Sequence, residues 1–214
     1  GKSTLLRILA GLDQPTSGSA TVAGTTVAGA TERQLAGLRR QLQVVFQDPM
    51  GSLDPRMRVR EIVAEPLLVP GQALDARRRA AKVAGMLEAV GLDPEAADRY
   101  PHQFSGGQRQ RISIARALVC RPRVLVADEP VSALDVSVRA QVLNLLADLV
   151  DDYALTLVFV SHDLAVVRHL CDSVLVMKDG EIVESGRTED IYGNPQHPYT
   201  RELIASSLSL RVQP

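Results

Sequence analysis

The sequence has no long hydrophobic run. Hydrophobic residues make up 45 % of its 214 positions. Nowhere do about 18 apolar residues follow one another, which is the length that a membrane-spanning helix needs. The first residues also lack the basic and apolar pattern of a secretory signal peptide. We therefore predict no membrane-spanning segment and expect a cytosolic protein.

An excess of charge of one sign is missing as well. The 24 Lys and Arg residues balance the 25 Asp and Glu residues, for a formal net charge of −1. A protein that binds nucleic acid usually carries a basic face. The basic run Arg77 to Arg79 is better explained as the solvated side of a helix. The charge balance therefore predicts no nucleic-acid partner.

Cysteine is scarce. Cys120 and Cys171 are the two in the chain, and they show neither a C-x-x-C motif nor a Cys/His spacing. This pattern supports neither a disulfide framework nor a zinc site. Both residues are expected to behave as small buried hydrophobic side chains.

Segments of strand and helix type alternate along the chain. The first part predicts a helix from Thr4 to Ala10 that stops at Gly11, a hairpin in SATVAGTTVAG, a helix in ERQLAGLRRQ, a strand in QVVFQ and a loop in DPMGSLDPRM. After SGGQRQ come helix RISIARALVC, strand RVLVAD, helix SVRAQVLNLLADLVDD, strand LTLVFVS, helix DLAVVRHLC and strand DSVLVMKDGEIVES. Such alternation predicts βαβ units and a layered α/β fold with a parallel sheet.

The middle of the chain has little strand character. From Val59 to about Arg99 the periodicity is helical, with VREIVAEPLL and ARRRAAKVAGMLEAVGL as predicted helices. Pro66 and Pro70 interrupt the pattern, since proline breaks a helix interior. The segment is interpreted as an inserted helical lobe.

Two adjacent carboxylates follow the buried strand in VLVADEP. Asp128 and Glu129 fall at the carboxyl end of a predicted parallel strand, where open α/β sheets bind ligands. Asp128 is placed to hold Mg²⁺, which prefers oxygen ligands. Glu129 is placed to polarise an attacking water. The alternative, that Asp-Glu-Pro simply begins a loop, has equal weight for this motif alone.

Two helices begin with residues suited to phosphate. Lys2 and Ser3 open the first helix, and Ser105, Gly106 and Gly107 open the helix after the lobe. Unpaired N–H groups at a helix start favour anions. Either one molecule holds two anions, or each start supplies half of a nucleotide site that a second molecule completes. As an isolated feature, Ser-Gly-Gly is also a plain N-cap and turn.

Two further polar residues fall at predicted strand ends. His162 ends VFVSH, where an imidazole can hydrogen-bond a γ-phosphate and help to orient water. Gln47 ends QVVFQ, where its amide oxygen can reach a magnesium ion or a water. The alternatives are that His162 is a structural histidine and that Gln47 is a surface turn residue.

Taken together, six stretches resemble the motifs of the ATP-binding subunit of ABC transporters. They are GKST (Gly1, Lys2, Ser3 and Thr4) for the end of the Walker A loop, Gln47 for the Q-loop, SGGQ (Ser105, Gly106, Gly107 and Gln108) for the signature, VLVADE with Asp128 and Glu129 for Walker B, SALD (Ser132 to Asp135) for the D-loop, and His162 for the switch histidine. Order and spacing agree over nearly the whole chain. Each motif alone is ambiguous, but chance does not readily assemble all six.

The resemblance implies a fold, cofactors and partners. The fold would be that of a P-loop NTPase, an α/β protein with a RecA-like layered sheet and an inserted helical subdomain, over residues 1–214. The cofactors would be ATP and Mg²⁺. The partners would be transmembrane permease subunits and a second ATPase subunit or cassette, arranged head to tail, at the cytoplasmic face of the cell membrane.

The resemblance also implies roles for single residues. Glu129 would position the attacking water, and His162 would stabilise charge as phosphate separates. Gln47 would be a third catalytic residue. Mg²⁺ would be held by Ser3, Gln47 and Asp128. The nucleotide would be bound by Gly1, Lys2, Ser3 and Thr4, by Ser105, Gly106, Gly107 and Gln108 from the second subunit, and by Asp135.

Two longer stretches look like one branch of the family. QDPMGSLDPRMRVREIVAEPL and the tail stretch NPQHPYTRELIAS resemble the oligopeptide, dipeptide and nickel importers. This implies a helical subdomain at about residues 59–104, contacts with the permease from residues of the 47–104 region, and a tail at 190–214 typical of the branch. It implies import of di- or oligopeptides, or of nickel or related small solutes.

The chain departs from the family at its start. Members have an N-terminal strand with an aromatic residue that stacks on adenine, followed by the first glycines of Walker A. Since neither precedes Gly1, we expect a chain cut inside this loop that binds ATP poorly as written. The alternative function is a soluble ATPase of the same family that acts on nucleic acid or the ribosome, which the short insert and neutral charge disfavour.

Overall fold

The N-terminal region forms a helix, a small hairpin and a second helix. The computed structural model describes residues 1–68 and 74–209 of the chain. Helix α1 (Lys2–Leu9) begins two residues before the predicted start and ends ahead of Gly11, whose φ of +67° suits the predicted stop. Strands β1 (Thr21–Val22) and β2 (Thr25–Thr26) pair antiparallel, and helix α2 (Glu32–Gln41) follows. All three elements were predicted.

The next region confirms the predicted strand but corrects its end and part of the loop that follows it. Strand β3 (Leu42–Val45) ends two residues before Gln47, because the chain leaves the sheet at the exposed Phe46. The loop predicted in DPMGSLDPRM is wrong in part, since Pro49–Ser52 forms the short helix α3. Proline is well tolerated at the first position of a helix, where its missing N–H would have no helical partner.

Helices fill the described part of the segment that was predicted to be a helical lobe. They are α4 (Val59–Ala64), a 3-10 helix at Glu65–Leu68, α5 (Ala76–Ala89), and 3-10 helices at Pro94–Asp98 and Pro101–Gln103. Pro66 lies where α4 tightens into a 3-10 turn, whereas Pro70 falls in residues 69–73, outside the described residues. In residues 59–68 and 74–104 the structure has no strand. That 59–104 is a subdomain of its own stays a prediction.

The central sheet is built from parallel strands connected by helices. Helix α6 (Gly106–Leu118) leads to strand β4 (Val124–Asp128), helix α7 (Val136–Asp152), strand β5 (Thr156–Val160) and helix α8 (Leu164–Leu170). The strand order is β3-β4-β5, so β4 is the middle strand. Its residues Leu125, Val126 and Ala127 are fully buried, as its continuous apolar run predicts.

The C-terminal region corrects one prediction. DSVLVMKDGEIVES was predicted as one strand, but it forms β6 (Ser173–Lys178) and β7 (Glu181–Arg187), paired antiparallel. Asp179 and Gly180 both have positive φ and make the turn between them. Helices α9 (Thr188–Gly193) and α10 (Pro198–Ser209) follow, and residues 210–214 of the predicted tail lie outside the described residues.

Two hydrophobic clusters lie on opposite faces of the central sheet. Leu125 of β4 joins the cluster formed with α4 to α8, and the next residue, Val126, joins the cluster formed with α1 and α2. Successive side chains of a strand point to opposite faces, which explains this division. The result is a layered α/β architecture in which the carboxyl ends of β3, β4 and β5 meet at one edge.

The cysteines are partly buried in these layers. Burial raises the pKa of the Cys120 thiol and of the Cys171 thiol above the ordinary value. A protonated thiol is a poor nucleophile and a poor metal ligand. Both residues therefore act mainly through packing, although neither is as fully buried as the sequence predicted.

Candidate functional site

Glu129 stands at the carboxyl end of the central strand in an uncommon backbone conformation. Its φ of +45° turns the chain sharply out of β4. Its N–H donates to the Val160 carbonyl at 3.0 Å, and its carbonyl accepts a hydrogen bond from the Ser132 hydroxyl at 3.1 Å. These bonds hold the turn, and the side chain is left 18 % exposed. The carboxylate is therefore fixed at the sheet edge yet reachable from solvent.

Three side chains from distant parts of the sequence surround this carboxylate. His162 Nδ1 lies 3.1 Å from Glu129 Oε2, and Lys2 Nζ lies 3.9 Å from Oε1. Gln47 Nε2 approaches Oε2 at 3.5 Å, the outer limit of a hydrogen bond. We call Lys2, Gln47, Glu129 and His162 the carboxylate cluster. A negative group lined by a cation, an amide and an imidazole can order a water molecule and a neighbouring anion.

The fold itself makes the carboxylate cluster. Gln47 follows β3, Glu129 follows β4 and His162 follows β5, so the three parallel strands bring residues just beyond their carboxyl ends to one edge. Ligands bind at this edge in open α/β sheets. Asp128, the last residue of β4, pairs with Val160 in the same place. Sequence reasoning predicted this meeting of strand ends, but not that Glu129 would stand at its centre.

Helix α1 brings its first turn to the same edge through Lys2. Ser3 and Thr4 lie in that exposed turn, and Gly1 is its N-cap residue. A Cβ atom on Gly1 would come within 3.3 Å of the Gly180 Cα atom, so the start of α1 lies against the β6–β7 turn. The free N–H groups of this turn favour an anion near Lys2.

The residues suit a magnesium ion bound together with phosphate. Ser3, Gln47 and Asp128 offer hydroxyl, amide and carboxylate oxygens, the donor class that Mg²⁺ prefers. Across residues 1–68 and 74–209, no group of three or more His, Cys, Asp and Glu side chains could hold a metal alone. An ion at this edge would therefore depend on ligand oxygens and water in addition to these side chains, which is how Mg²⁺ is commonly held.

The Ser-Gly-Gly helix start is built by local contacts. The Ser105 hydroxyl accepts the Gln108 N–H at 3.3 Å, and the Gln108 side chain accepts the Ser105 N–H at 3.0 Å, a reciprocal capping box. A Cβ atom on Gly107 would lie 2.3 Å from Val138 Cγ1, so α6 and α7 touch there. We call Ser105, Gly106, Gly107 and Gln108 the signature turn.

The structure does not bring the signature turn to the carboxylate cluster. It lies beside the start of α7, where a Cβ on Gly106 would contact Leu134 at 3.5 Å. Asp135, the exposed N-cap residue of α7, belongs to this second group. Within the described part of the chain, none of these residues forms a hydrogen bond or ion pair with Lys2, Gln47, Glu129 or His162. The chain thus has two separate polar surfaces.

Sequence reasoning missed two residues next to the cluster. Asp163 follows His162 and accepts the N–H of Ala165 at 3.0 Å as the N-cap of α8. Arg139 of α7 places Nη1 at 3.8 Å from the Asp163 carboxylate. The cap has a sequence signal, because Asp directly before an apolar helical run is a typical N-cap. Arg139 has none, since only the packing of α7 beside α8 brings it there.

Comparison with known proteins agrees with this arrangement. The family model described as ABC transporter matches residues 1–132. The di/tripeptide transport ATP-binding protein DppF of Pseudomonas aeruginosa is 52 % identical over 100 % of this chain, and the dipeptide transport ATP-binding protein DppF of Haemophilus influenzae is 52 % identical over 97 %. The chain spans 66 % and 63 % of the length of these relatives.

Solved structures show the same architecture. A dimeric ATP-binding cassette in a post-hydrolysis state, bound to ADP and Pi, superposes with a TM-score of 0.77 at 33 % identity, covering 88 % of this chain and 81 % of that one. CbiO1 from Clostridium perfringens, part of the ABC transporter complex cbiONQ, superposes with a TM-score of 0.80 at 27 % identity, covering 99 % and 80 %. Among the described residues, no helix is long and apolar enough to cross a membrane. By its family model, its relatives and its fold, the chain belongs to the ABC transporter family.

Proposed function

We propose that this chain binds and hydrolyses ATP with Mg²⁺ to power the import of di- or oligopeptides, or of nickel or related small solutes, through a membrane permease. The observation that carries the proposal is the carboxylate cluster, in which Lys2 and His162 both lie within 4 Å of Glu129. The family match also supports the proposal, as do the names of the relatives, which are peptide transport ATP-binding proteins.

In this proposal, helix α1 and the residues at the strand ends bind the triphosphate. Lys2, whose side chain is 46 % exposed, reaches the β- and γ-phosphates, and the N–H groups from Gly1 to Thr4 bind phosphate oxygens. Ser3, Gln47 and Asp128 would hold the magnesium ion, which would supply positive charge to neutralise the phosphates.

The residues around the Glu129 carboxylate are proposed to catalyse hydrolysis. Glu129 accepts a hydrogen bond from the attacking water and holds it in line with the γ-phosphorus. His162 donates a hydrogen bond to a γ-phosphate oxygen as the phosphate separates, and Gln47 assists in holding the water. Phosphoryl transfer depends on positioning and charge stabilisation rather than covalent help, so the fixed turn at Glu129 suits this role.

A second copy or a related cassette completes the site. In this proposal the partner's signature turn, with its Asp135, closes over the γ-phosphate of the first chain in a head-to-tail dimer. The separation of the signature turn from the carboxylate cluster supports it, because one chain alone does not bring them together. The dimeric state of a similar solved cassette also supports it.

The permease is proposed to bind beside the residues that follow Gln47. A cavity of about 690 Å³ lies there, lined by residues 51–57 together with Ile62, Glu65 and Arg116. Arg116 donates to the Ser52 carbonyl at 2.5 Å, and burial lowers the pKa of its guanidinium. The helical segment 59–104 contributes Ile62 and Glu65 to this surface. The tail 190–214 would be a feature of the importer branch. The chain would then lie at the cytoplasmic face of the membrane.

A nucleic-acid or ribosome-bound ATPase is not favoured. The net charge of −1 offers no basic face, and the relatives reported above are named as transport proteins. No nucleic-acid partner is proposed.

Reconstitution of the full-length protein with its permease in vesicles tests the proposal. We expect ATP hydrolysis and ATP-dependent uptake of labelled dipeptides, both abolished by Lys2→Ala. Arg33→Ala is the control, because Arg33 is an exposed basic residue of α2, outside the segment proposed to bind the permease, and contacts no residue of the cluster in the part of the chain that the structure describes. Hydrolysis without peptide or nickel uptake would contradict the cargo. Equal activity of the Lys2 and Arg33 variants would contradict the site.

A further inference from the structure

Arg139 joins two loops that flank the candidate site. Its Nη2 donates to the Leu134 carbonyl at 3.2 Å, in the turn that precedes α7. Its Nη1 lies 3.8 Å from Asp163 Oδ2, in the loop that precedes α8. The side chain is 30 % exposed, and its buried Nε has no hydrogen-bond partner in the described part of the chain. The guanidinium therefore spans the two loops with both terminal nitrogens.

Asp163 divides its two carboxylate oxygens between two tasks. Oδ1 accepts the N–H groups of Ala165 at 3.0 Å and Val166 at 3.5 Å, which caps α8. Oδ2 is left for Arg139. The Asp163 N–H also donates to the Ser161 hydroxyl at 2.9 Å. The residues on both sides of His162 are thus tied down, although the imidazole is not.

The His162 side chain needs such support. It is 67 % exposed, and its Nδ1 atom contacts the Glu129 carboxylate. An exposed ring gains little orientation from packing, so its direction depends on the backbone that carries it. That backbone is held by Asp163, and Asp163 is held in turn by α8 and by Arg139.

We propose that Arg139 is a positioning residue that fixes His162 relative to the turn at residues 132–135. The inference rests on the proposed function, in which His162 acts during ATP hydrolysis and Asp135 faces the second subunit. Arg139 then transmits a shift of the Leu134 carbonyl to the loop of His162. A guanidinium suits this task because its planar fork makes two directed contacts, which a lysine ammonium on its flexible stem does not reproduce.

Steady-state kinetics of the reconstituted full-length transporter tests the inference. Arg139→Met keeps the apolar stem and removes both contacts, and we expect kcat for ATP hydrolysis to fall about tenfold with KM for ATP changed less than about twofold. Asp163→Asn keeps an oxygen for the cap of α8 and should lower kcat similarly. Arg168→Met is the matched control, since Arg168 lies on α8 beside Tyr192 and does not contact Asp163.

The double variant decides between positioning and general stability. If Arg139 acts through Asp163, then Arg139→Met combined with Asp163→Asn should be no slower than the slower single variant. Multiplying effects on kcat would overturn the inference, as would a wild-type kcat in Arg139→Met. Should Arg139→Met fail to fold, Arg139→Lys replaces it, and a wild-type kcat for Arg139→Lys would equally overturn the inference. A wild-type protein that hydrolyses no ATP overturns the proposed function and this inference with it.

Discussion

The carboxylate cluster and the signature turn are both polar surfaces at helix or strand ends, but they are made in opposite ways. In the carboxylate cluster, Lys2, Gln47 and His162 reach Glu129 from sequence positions far apart. In the signature turn, Ser105 and Gln108 satisfy each other across three residues. One surface depends on the whole fold, whereas the other is formed within a single helical turn.

This difference explains what each surface can do alone. The carboxylate cluster holds mutually attracting groups from distant parts of one chain, so a single chain presents the whole cluster to a ligand. The Ser105 hydroxyl and Gln108 amide use each other as partners, which leaves the free N–H groups of the α6 start turned toward whatever docks there. Such a surface can bind a ligand held by another subunit but has no catalytic group of its own. This is what the proposed dimer requires.

The strongest test of the contrast removes the charge at the centre of the carboxylate cluster. Glu129→Gln in the full-length transporter should lower kcat for ATP hydrolysis by about 100-fold or more, because the neutral amide keeps the shape but loses the negative charge that polarises the water. ATP binding, measured by calorimetry, should remain largely intact. Normal turnover would remove Glu129 from the proposed role and make the carboxylate cluster a structural ion pair.

A change at the signature turn should act on packing instead. Gly107→Ala would place a Cβ 2.3 Å from Val138 Cγ1, and such overpacking costs about 1–3 kcal/mol of unfolding free energy. Urea denaturation measures the loss, and adding Val138→Ala should recover part of it. Gly106→Ala is the matched control, since its Cβ would make an ordinary 3.5 Å contact with Leu134. Equal stability of the two alanine variants would contradict close packing at Gly107.

Removing the cap of α6 should have a smaller effect. Ser105→Ala loses the hydroxyl that accepts the Gln108 N–H, and the loss of an N-cap typically costs about 1 kcal/mol. The expected signature is a lowered denaturation midpoint, with ATP affinity of the isolated full-length subunit unchanged, because Ser105 does not contact the carboxylate cluster. Weakened ATP binding in this monomer would break the separation of the two surfaces.

The smallest expected effect concerns the anchoring of α8, which follows His162. The Tyr192 hydroxyl donates to the Leu164 carbonyl at the start of α8. Burial is the main cause that raises the pKa of Tyr192 from 10.0 to about 12. The unfolded chain therefore loses this proton first, so the stabilisation is complete below pH 10 and is lost as the pH rises through about 12.

Tyr192→Phe makes this effect visible. The variant should lack the alkaline component, so its unfolding free energy should depend less on pH between 10 and 12 than that of the wild type. Thermal melting across that window, followed by circular dichroism, measures it. Identical pH dependence in the two proteins would show that Tyr192 does not hold α8 in the way its hydrogen bond indicates.

Most helices and strands were predictable from the sequence, because their signals are local. The capping box of Thr31 and Gln34 marks the start of α2, and the unbroken apolar run of RVLVAD marks β4 as a buried strand. The errors fall where two signals compete. Asp179 and Gly180 form a turn inside a run with strand character, and Pro49 begins a short helix inside a loop pattern.

The site was predictable in its members and less so in its arrangement. Parallel strands end at one edge, so Gln47, Asp128 and His162 were expected to meet there. The central place of Glu129 follows from its positive φ, which no sequence pattern announced. The pairing of Arg139 with Asp163 likewise depends on how α7 lies beside α8.

The sequence by itself determined the order of elements, the membership in the family and which residues are candidates for the chemistry, because periodicity, capping and motif spacing act over a few neighbouring residues. Only the tertiary structure decided that Glu129 gathers Lys2, Gln47 and His162 while the signature turn stays apart beside α7. Those distances result from long-range packing, in which Leu125 and Val126 bind separate layers of helices to the two faces of one strand.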